Sequence, residues 1–170
     1  MILSRIVHGI ADFIYRAGAD YGANSVFSIE SAGISHPCAE YLVERTRDKT
    51  DTKSIYVFEY VLSGKGCIEC EGRKQIVHAG DFYFLNRLHS HLYYSVPEDP
   101  YGKIWINAGG RLLDGVVNAY GLTDGVLIVP NSQTRPLIEQ VHSLLAGINA
   151  ENTESVMTEC AKAMCDLIIT

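Results

Sequence analysis

Hydrophobic and polar positions follow two different rhythms along the chain. Between Val26 and Ala108, short runs of β-branched and aromatic residues are broken every few positions by Gly, Asp or Pro, the pattern of strands and tight turns. Strands are predicted at 26–31, 41–46, 55–62, 66–71, 74–78, 81–85, 91–96 and 102–107. The reversals are explicit: Ser63-Gly64-Lys65-Gly66, Glu71-Gly72-Arg73, Ala79-Gly80-Asp81, and the longer corner Pro97-Glu98-Asp99-Pro100. Many short strands joined by short turns predict a sandwich or a closed barrel. Closure would also remove the exposed edge of a run such as Tyr56-Val57-Phe58-Glu59-Tyr60.

From Arg111 onward the rhythm becomes helical. Leu112, Leu113, Val116, Val117 and Tyr120 form one stripe, stopped by Gly121. A short apolar piece, 126–129, follows. Leu137, Ile138, Val141, Leu144, Leu145 and Ile148 form a second stripe, with Pro136 in its first turn and Ser132 or Thr134 as its cap. Val156, Cys160, Ala163, Met164, Leu167 and Ile168 form a third. Three such faces exceed what one small barrel needs to cover, so a pairing of helices between two copies is expected alongside packing on the barrel. The apolar end, Leu167-Ile168-Ile169-Thr170, is what a piece of a longer protein would show. At the other end, Leu3, Ile6, Val7, Ile10, Phe13 and Ile14 fit either a helix face ending at Gly18 or an extended arm over the barrel, and the spacing favours the helix.

Composition narrows the classes. With 170 residues, 47% hydrophobic and 20% charged, the chain can bury a full core. No apolar run approaches a membrane span, and Met1 to Ile10 lack the continuous apolar region of a secretory signal, so a cytoplasmic protein is expected. A net charge of −6 with no Lys/Arg cluster argues against strong nucleic-acid binding by this chain alone. The five cysteines are an odd number without framework spacing, which fits a reducing compartment. Cys67 and Cys70 read as C-x-x-C, but three positions along a strand place them on opposite faces, so structural roles are expected.

From Tyr56 to Gly110 the sequence resembles the ligand-binding domain of AraC-family transcription regulators. The resemblance rests on Tyr60-Val61-Leu62-Ser63-Gly64-Lys65-Gly66, Ala79-Gly80-Asp81-Phe82-Tyr83-Phe84-Leu85, His91-Leu92-Tyr93, Asp99-Pro100-Tyr101, and Trp105 with Gly109-Gly110. The gap from Gly80 to His91 matches that between the family's Gly-Asp turn and its pocket histidine. Asn86-Arg87-Leu88 stands where family members usually carry prolines. The resemblance implies a mainly β fold, a cupin-like β-barrel (double-stranded β-helix, or jelly roll) followed by C-terminal α-helices. Residues 1–21 would be the N-terminal arm or helix, 22–110 the ligand-binding barrel and 111–170 a helical dimerisation region. The family's DNA-binding domain of two helix-turn-helix units has no counterpart in this chain.

Strand parity sorts the candidate ligand contacts. His89, His91 and Tyr93 share one face; Lys103, Trp105 and Asn107 share another. Arg45 is similar in placement to a ligand-contacting arginine of the family. Arg45, His91, Tyr93, Lys103 and Trp105 are therefore the expected ligand-binding set. Aromatic faces would cover sugar C–H groups, and the polar groups would meet hydroxyls or a carboxylate. Each residue has a plainer reading: a core aromatic for Trp105, a satisfied structural histidine for His91, a solvated edge lysine for Lys103. The implied partners are a small effector such as a sugar, a second copy through the C-terminal helices, and DNA only through a further domain; no cofactor, catalytic residue or metal is expected. Two rivals stand beside this reading. A metal-dependent cupin isomerase or dioxygenase would need two further histidines, and the stretch from Asp51 to Tyr60 has none. A ligand-free dimerisation module would fill the barrel with its own tyrosines and phenylalanines.

Overall fold

The computed structural model describes residues 2–7, 11–18, 24–47 and 54–170. In chain order its strands are β1 (Ile2–Val7), β2 (Ala11–Arg16), β3 (Ser28–Ser35), β4 (Leu42–Thr46), β5 (Tyr56–Ser63), β6 (Lys65–Cys70), β7 (Arg73–His78), β8 (Phe82–Leu85), β9 (His91–Ser95) and β10 (Gly102–Gly109). Helix α1 (Arg111–Ala119), strand β11 (Val126–Val129), and helices α2 (Arg135–Ala146) and α3 (Thr153–Ile169) follow. One sheet runs β1-β4-β9-β6-β7 and the other β11-β8-β5-β10-β3-β2, with every paired strand antiparallel. The two sheets face each other as a jelly-roll barrel, the cupin-like fold, and the helices pack behind the six-stranded sheet.

Alternation along β5, β8 and β10 explains why these strands read as nearly continuous apolar runs. Val57 and Val61 of β5, with Tyr83 and Leu85 of β8, face the barrel interior and pack with Ile68, Val77, Tyr93 and Tyr101. Tyr56, Phe58, Phe82, Phe84, Ile104, Ile106 and Ala108 point the other way. There they meet Leu113 and Val117 of α1, Ile138, Val141 and Leu145 of α2, and Val156, Cys160, Met164 and Leu167 of α3. A strand covered on both faces needs apolar residues at both parities, so its sequence loses the simple alternation of a half-exposed strand.

The turn Asn86-Arg87-Leu88 has its own fastening. Asn86 Oδ1 accepts the Leu88 N–H at 3.0 Å, and Asn86 Nδ2 donates to the Leu122 carbonyl at 3.0 Å. Arg87 pairs bidentately with Asp114 of α1, both contacts at 2.9 Å, and lies over the Tyr56 ring. Side chains thus do here what prolines would do by restricting the backbone.

Two expectations change, and one segment left without a type gains one. The N-terminal segment is extended, not helical: β1 pairs with β4 at the edge of one sheet, and β2 pairs with β3 at the edge of the other. Its apolar spacing looked helical because β2 carries a register shift between Phe13 and Tyr15, which breaks strict alternation. The apolar piece 126–129 is a strand that extends the sheet beside β8. Strand β3 runs on through Ala32-Gly33-Ile34-Ser35, where small residues hid a strand from propensity. All five cysteines are free.

Because Ile106 is fully buried between sheet and helices, Ile106→Ala is expected to lower stability by about 2–5 kcal/mol. Val26→Ala, at a position 63% exposed, should stay within about 0.5 kcal/mol. Urea midpoints of the two variants test the comparison.

Candidate functional site

A cavity of about 110 Å³ lies between the sheets on the side closed by β2. Its wall combines Arg45 of β4, Glu59 of β5, Tyr93 of β9 and Trp105 and Asn107 of β10 with Tyr41 and Val43. Ala11, Phe13 and Arg16 of β2 and Glu30, Ser31 and Ser35 of β3 complete it. The volume is well below the roughly 300–1,000 Å³ of pockets for drug-sized ligands, so an occupant must be compact.

Arg45 is only 9% exposed although charged. Its Nε–H donates to Tyr93 Oη at 3.0 Å. Its two terminal nitrogens have no hydrogen-bond partner among the described residues, so a forked donor pair is held ready at the wall. Opposite, Trp105 donates from Nε1 to Ser35 Oγ at 3.0 Å, and its ring meets Phe13 edge-on with centroids 5.4 Å apart. The ring lies over Gly33, the cross-strand neighbour of Trp105: a Cβ there would come within 2.7 Å of the indole. Asn107 Nδ2 donates to Glu30 Oε2 at 3.2 Å and Ser31 Oγ at 3.1 Å. Cationic, carboxylate, amide and hydroxyl groups thus stand around one aromatic wall.

Lys103 does not line this cavity. It is fully buried one step deeper, paired with Glu59, which also accepts the Tyr83 hydroxyl proton. The ammonium sits 4.5 Å from the Tyr41 ring centroid, 4.7 Å from that of Tyr93 and 4.9 Å from that of Tyr101. It is therefore not the solvated edge lysine of the plain reading. Burial pushes its pKa down to about 8, and Glu59 works against that fall; at neutral pH it stays largely charged.

His91 is placed at the end of β9, directly across from Arg45 on one side and Cys70 on the other. It too lies outside the cavity lining. Its Nε2–H donates to the Gly125 carbonyl at 3.2 Å, leaving Nδ1 buried without a partner. Burial lowers its pKa to about 4, the Gly125 bond opposing, so the ring is neutral at physiological pH. Arg45, Tyr93 and Trp105 are thus brought together, Lys103 stands behind Glu59, and His91 stands beside Arg45 on the far side. Glu59, Glu30, Tyr41 and the β2 residues were not anticipated. An acid inside Tyr56-Val57-Phe58-Glu59-Tyr60-Val61 was the available signal, because a carboxylate in so apolar a strand requires a buried partner.

A two-sheet barrel with a small polar cavity and a helical layer behind it defines a cupin-like ligand-binding domain. The chain belongs to the family described as the AraC-like ligand binding domain, whose sequence profile matches residues 41–163. Among solved structures it is similar to the AraC-like transcriptional activator CuxR, at 14% identity and a TM-score of 0.56 over 86% of this chain and 53% of that one. It is also similar to apo ToxT from Vibrio cholerae strain SCE256, at 7% identity and a TM-score of 0.51 over 84% and 55% of the two chains. The protein YhaK from Escherichia coli aligns at 10% identity and a TM-score of 0.50 over 71% and 51%. The chain spans about half the length of these proteins. Comparison with curated proteins finds no match by sequence. No helix among the described residues is long and apolar enough to cross a membrane.

Two expectations follow from the buried charges. Lys103→Met strands a buried carboxylate and should destabilise by about 3–5 kcal/mol, whereas Lys103→Met combined with Glu59→Gln should recover most of that loss. Urea denaturation of the three variants measures the coupling. His91 titrates near 6.5 in the unfolded chain and near 4 when folded, so the unfolded state takes up the proton first as pH falls. Its contribution is intact above about pH 6.5 and declines towards pH 4 by about 3 kcal/mol in total. His91→Gln should flatten the fall in stability over that window.

Proposed function

We propose that this chain is the effector-sensing and dimerisation part of a cytoplasmic AraC-type transcription regulator, with a sugar or a related small polar molecule as its effector and no catalytic role. The observation that carries this is the convergence of Arg45, Tyr93 and Trp105 with Asn107 and Glu30 around one compact cavity. An aromatic face beside fixed donors and acceptors suits a polyol ring, and the free fork of Arg45 suits a carboxylate substituent. Lys103 would act through Glu59 and His91 from behind Arg45, without touching the effector. Among the described residues the lining has neither histidine nor cysteine, which favours recognition over metal-dependent catalysis in this cavity.

Dimerisation would use the outer faces of the helices. Most of the three apolar stripes is already buried within the chain, but Leu112 of α1, Tyr120 just after it and Ile169 of α3 remain exposed. DNA contact would belong to a further domain of the regulator. Occupancy would then alter the relation of the arm and helices to that domain, provided the effector binds the two arrangements with different affinity.

Trp105 is the only tryptophan, so its emission reports on the cavity directly. Titration with a panel of neutral monosaccharides and sugar acids should give a saturable change for at least one member. Arg45→Met should weaken that binding at least tenfold while circular dichroism stays unchanged. If no compound at millimolar concentration alters the emission or the melting temperature, the sensing proposal fails. Sedimentation equilibrium should return twice the chain mass; a monomer at all concentrations would remove the dimerisation part alone.

A further inference from the structure

Where β6 turns into β7, three unlike donor groups meet. Cys70 ends β6, Glu71 begins the turn into β7, and His89 precedes β9. Their ligand atoms all lie within 4.8 Å of one another. We propose that Cys70, Glu71 and His89 bind a single borderline divalent metal ion, with Zn²⁺ the best match, at a site separate from the effector cavity.

The donor set is the first argument. One thiolate, one imidazole and one carboxylate suit Zn²⁺, whose bonds of about 2.0–2.3 Å require donor separations of roughly 3.3–3.8 Å. To reach that spacing the His89–Glu71 pair, at 2.7 Å, would open by roughly half an ångström around an ion that also draws in Cys70 Sγ.

The second argument is the state of His89. Its Nε2 lies 3.0 Å from the Thr123 carbonyl, which can only accept, so Nε2 carries the hydrogen. Fixing one ring nitrogen on a backbone carbonyl is how proteins orient a metal-binding imidazole. The other nitrogen, Nδ1, faces Glu71 Oε1 at 2.7 Å. At that hydrogen-bond distance the two atoms share a hydrogen, which a metal ion bound by both would displace. Cys70 Sγ beside the same two atoms gives the metal a third ligand for which a proton has no use.

The third argument is the fit around the sulfur. Gly125 packs against it: a Cβ there would stand 2.3 Å from Cys70 Sγ and 3.1 Å from the His89 ring. His91, paired across the strands with Cys70, has a buried Nδ1 with no partner. A cavity of about 330 Å³ lined by Cys70, Glu71 and Asp124 borders the cluster and leaves room for water or the Asp124 carboxylate as fourth ligand. An ion there would join the β6–β7 turn to the loop before β9, which His89 Nε2 ties in turn to the Thr123 carbonyl between α1 and β11.

The test uses the full reduced chain with Co²⁺ as a spectroscopic probe for Zn²⁺. One equivalent of Co²⁺ should produce thiolate-to-metal charge-transfer absorption together with the visible bands of a four-coordinate site, and Zn²⁺ should abolish both by displacement. Cys70→Ser should remove the charge-transfer band, Cys67→Ser should retain it, and Glu71→Gln, a change at an exposed side chain, should weaken Zn²⁺ binding at least tenfold by competition titration. Circular dichroism confirms that each variant is folded. Absence of a stoichiometric thiolate band in the wild-type chain, or its persistence in Cys70→Ser, overturns the proposal.

Discussion

An ammonium sealed inside a β-barrel is tolerable only when its charge is met from several sides at once. Lys103 of β10 is met by the Glu59 carboxylate of β5 and by the ring faces of Tyr41, Tyr93 and Tyr101. Lys103 and Glu59 join neighbouring strands of the six-stranded sheet, and the Tyr93 ring of the five-stranded sheet packs on the ammonium from across the interior. Tyr93 also accepts the Arg45 Nε–H, which sets the guanidinium fork at the cavity wall. Glu59 and Tyr41 line that wall directly. The shape of the cavity therefore depends on an ion pair that does not itself face the ligand space, and moving Lys103 would loosen three of the wall's side chains.

The same strands carry the other half of the molecule on their reverse face. Trp105 turns its indole to the cavity, while its carbonyl accepts the His142 Nε2–H of α2 at 3.0 Å. Its neighbours Ile104 and Ile106 pack among the helices. Close-packed interiors transmit displacement because side chains have little free volume to absorb it. A shift of the Trp105 ring is thus felt at α2 through one strand thickness, and Arg87 with Asp114 gives α1 a comparable hold on the barrel. These are mechanical links through which an effector response in this domain could reach the helices.

The barrel was legible because turn chemistry is local and strand parity is strict. Gly64, Gly72 and Gly80 marked reversals that the backbone makes with positive φ, and parity put Lys103, Trp105 and Asn107 on one face. What escaped were features set by distant contacts. Strand β3 is poor in strand-forming residues because Trp105 lies over Gly33 and excludes larger side chains. Residues 126–129 became a strand because the edge of β8 was available to pair. For the site, parity chose the correct face for Lys103 and His91 but said nothing of depth. Lys103 sits below the cavity floor because Glu59 holds it there. His91 lies outside the wall although it is paired with Arg45, because its ring turns to the Gly125 carbonyl.

The N-terminal segment shows best how the parts answer to one another. β1 and β2 each supply an edge strand, β1 beside β4 in one sheet and β2 beside β3 in the other. Phe13 and Arg16 line the cavity, whereas Ile14 and Tyr15 pack against the helical core. The register shift between Phe13 and Tyr15 lets neighbouring residues serve these two environments. Phe13 is still 49% exposed, and an edge strand bonded on one side is among the cheaper elements to displace. An occupant larger than the present cavity would press first on Phe13, the wall with the least behind it. The residues beside it would carry that displacement to the helices before the rest of the barrel had to yield.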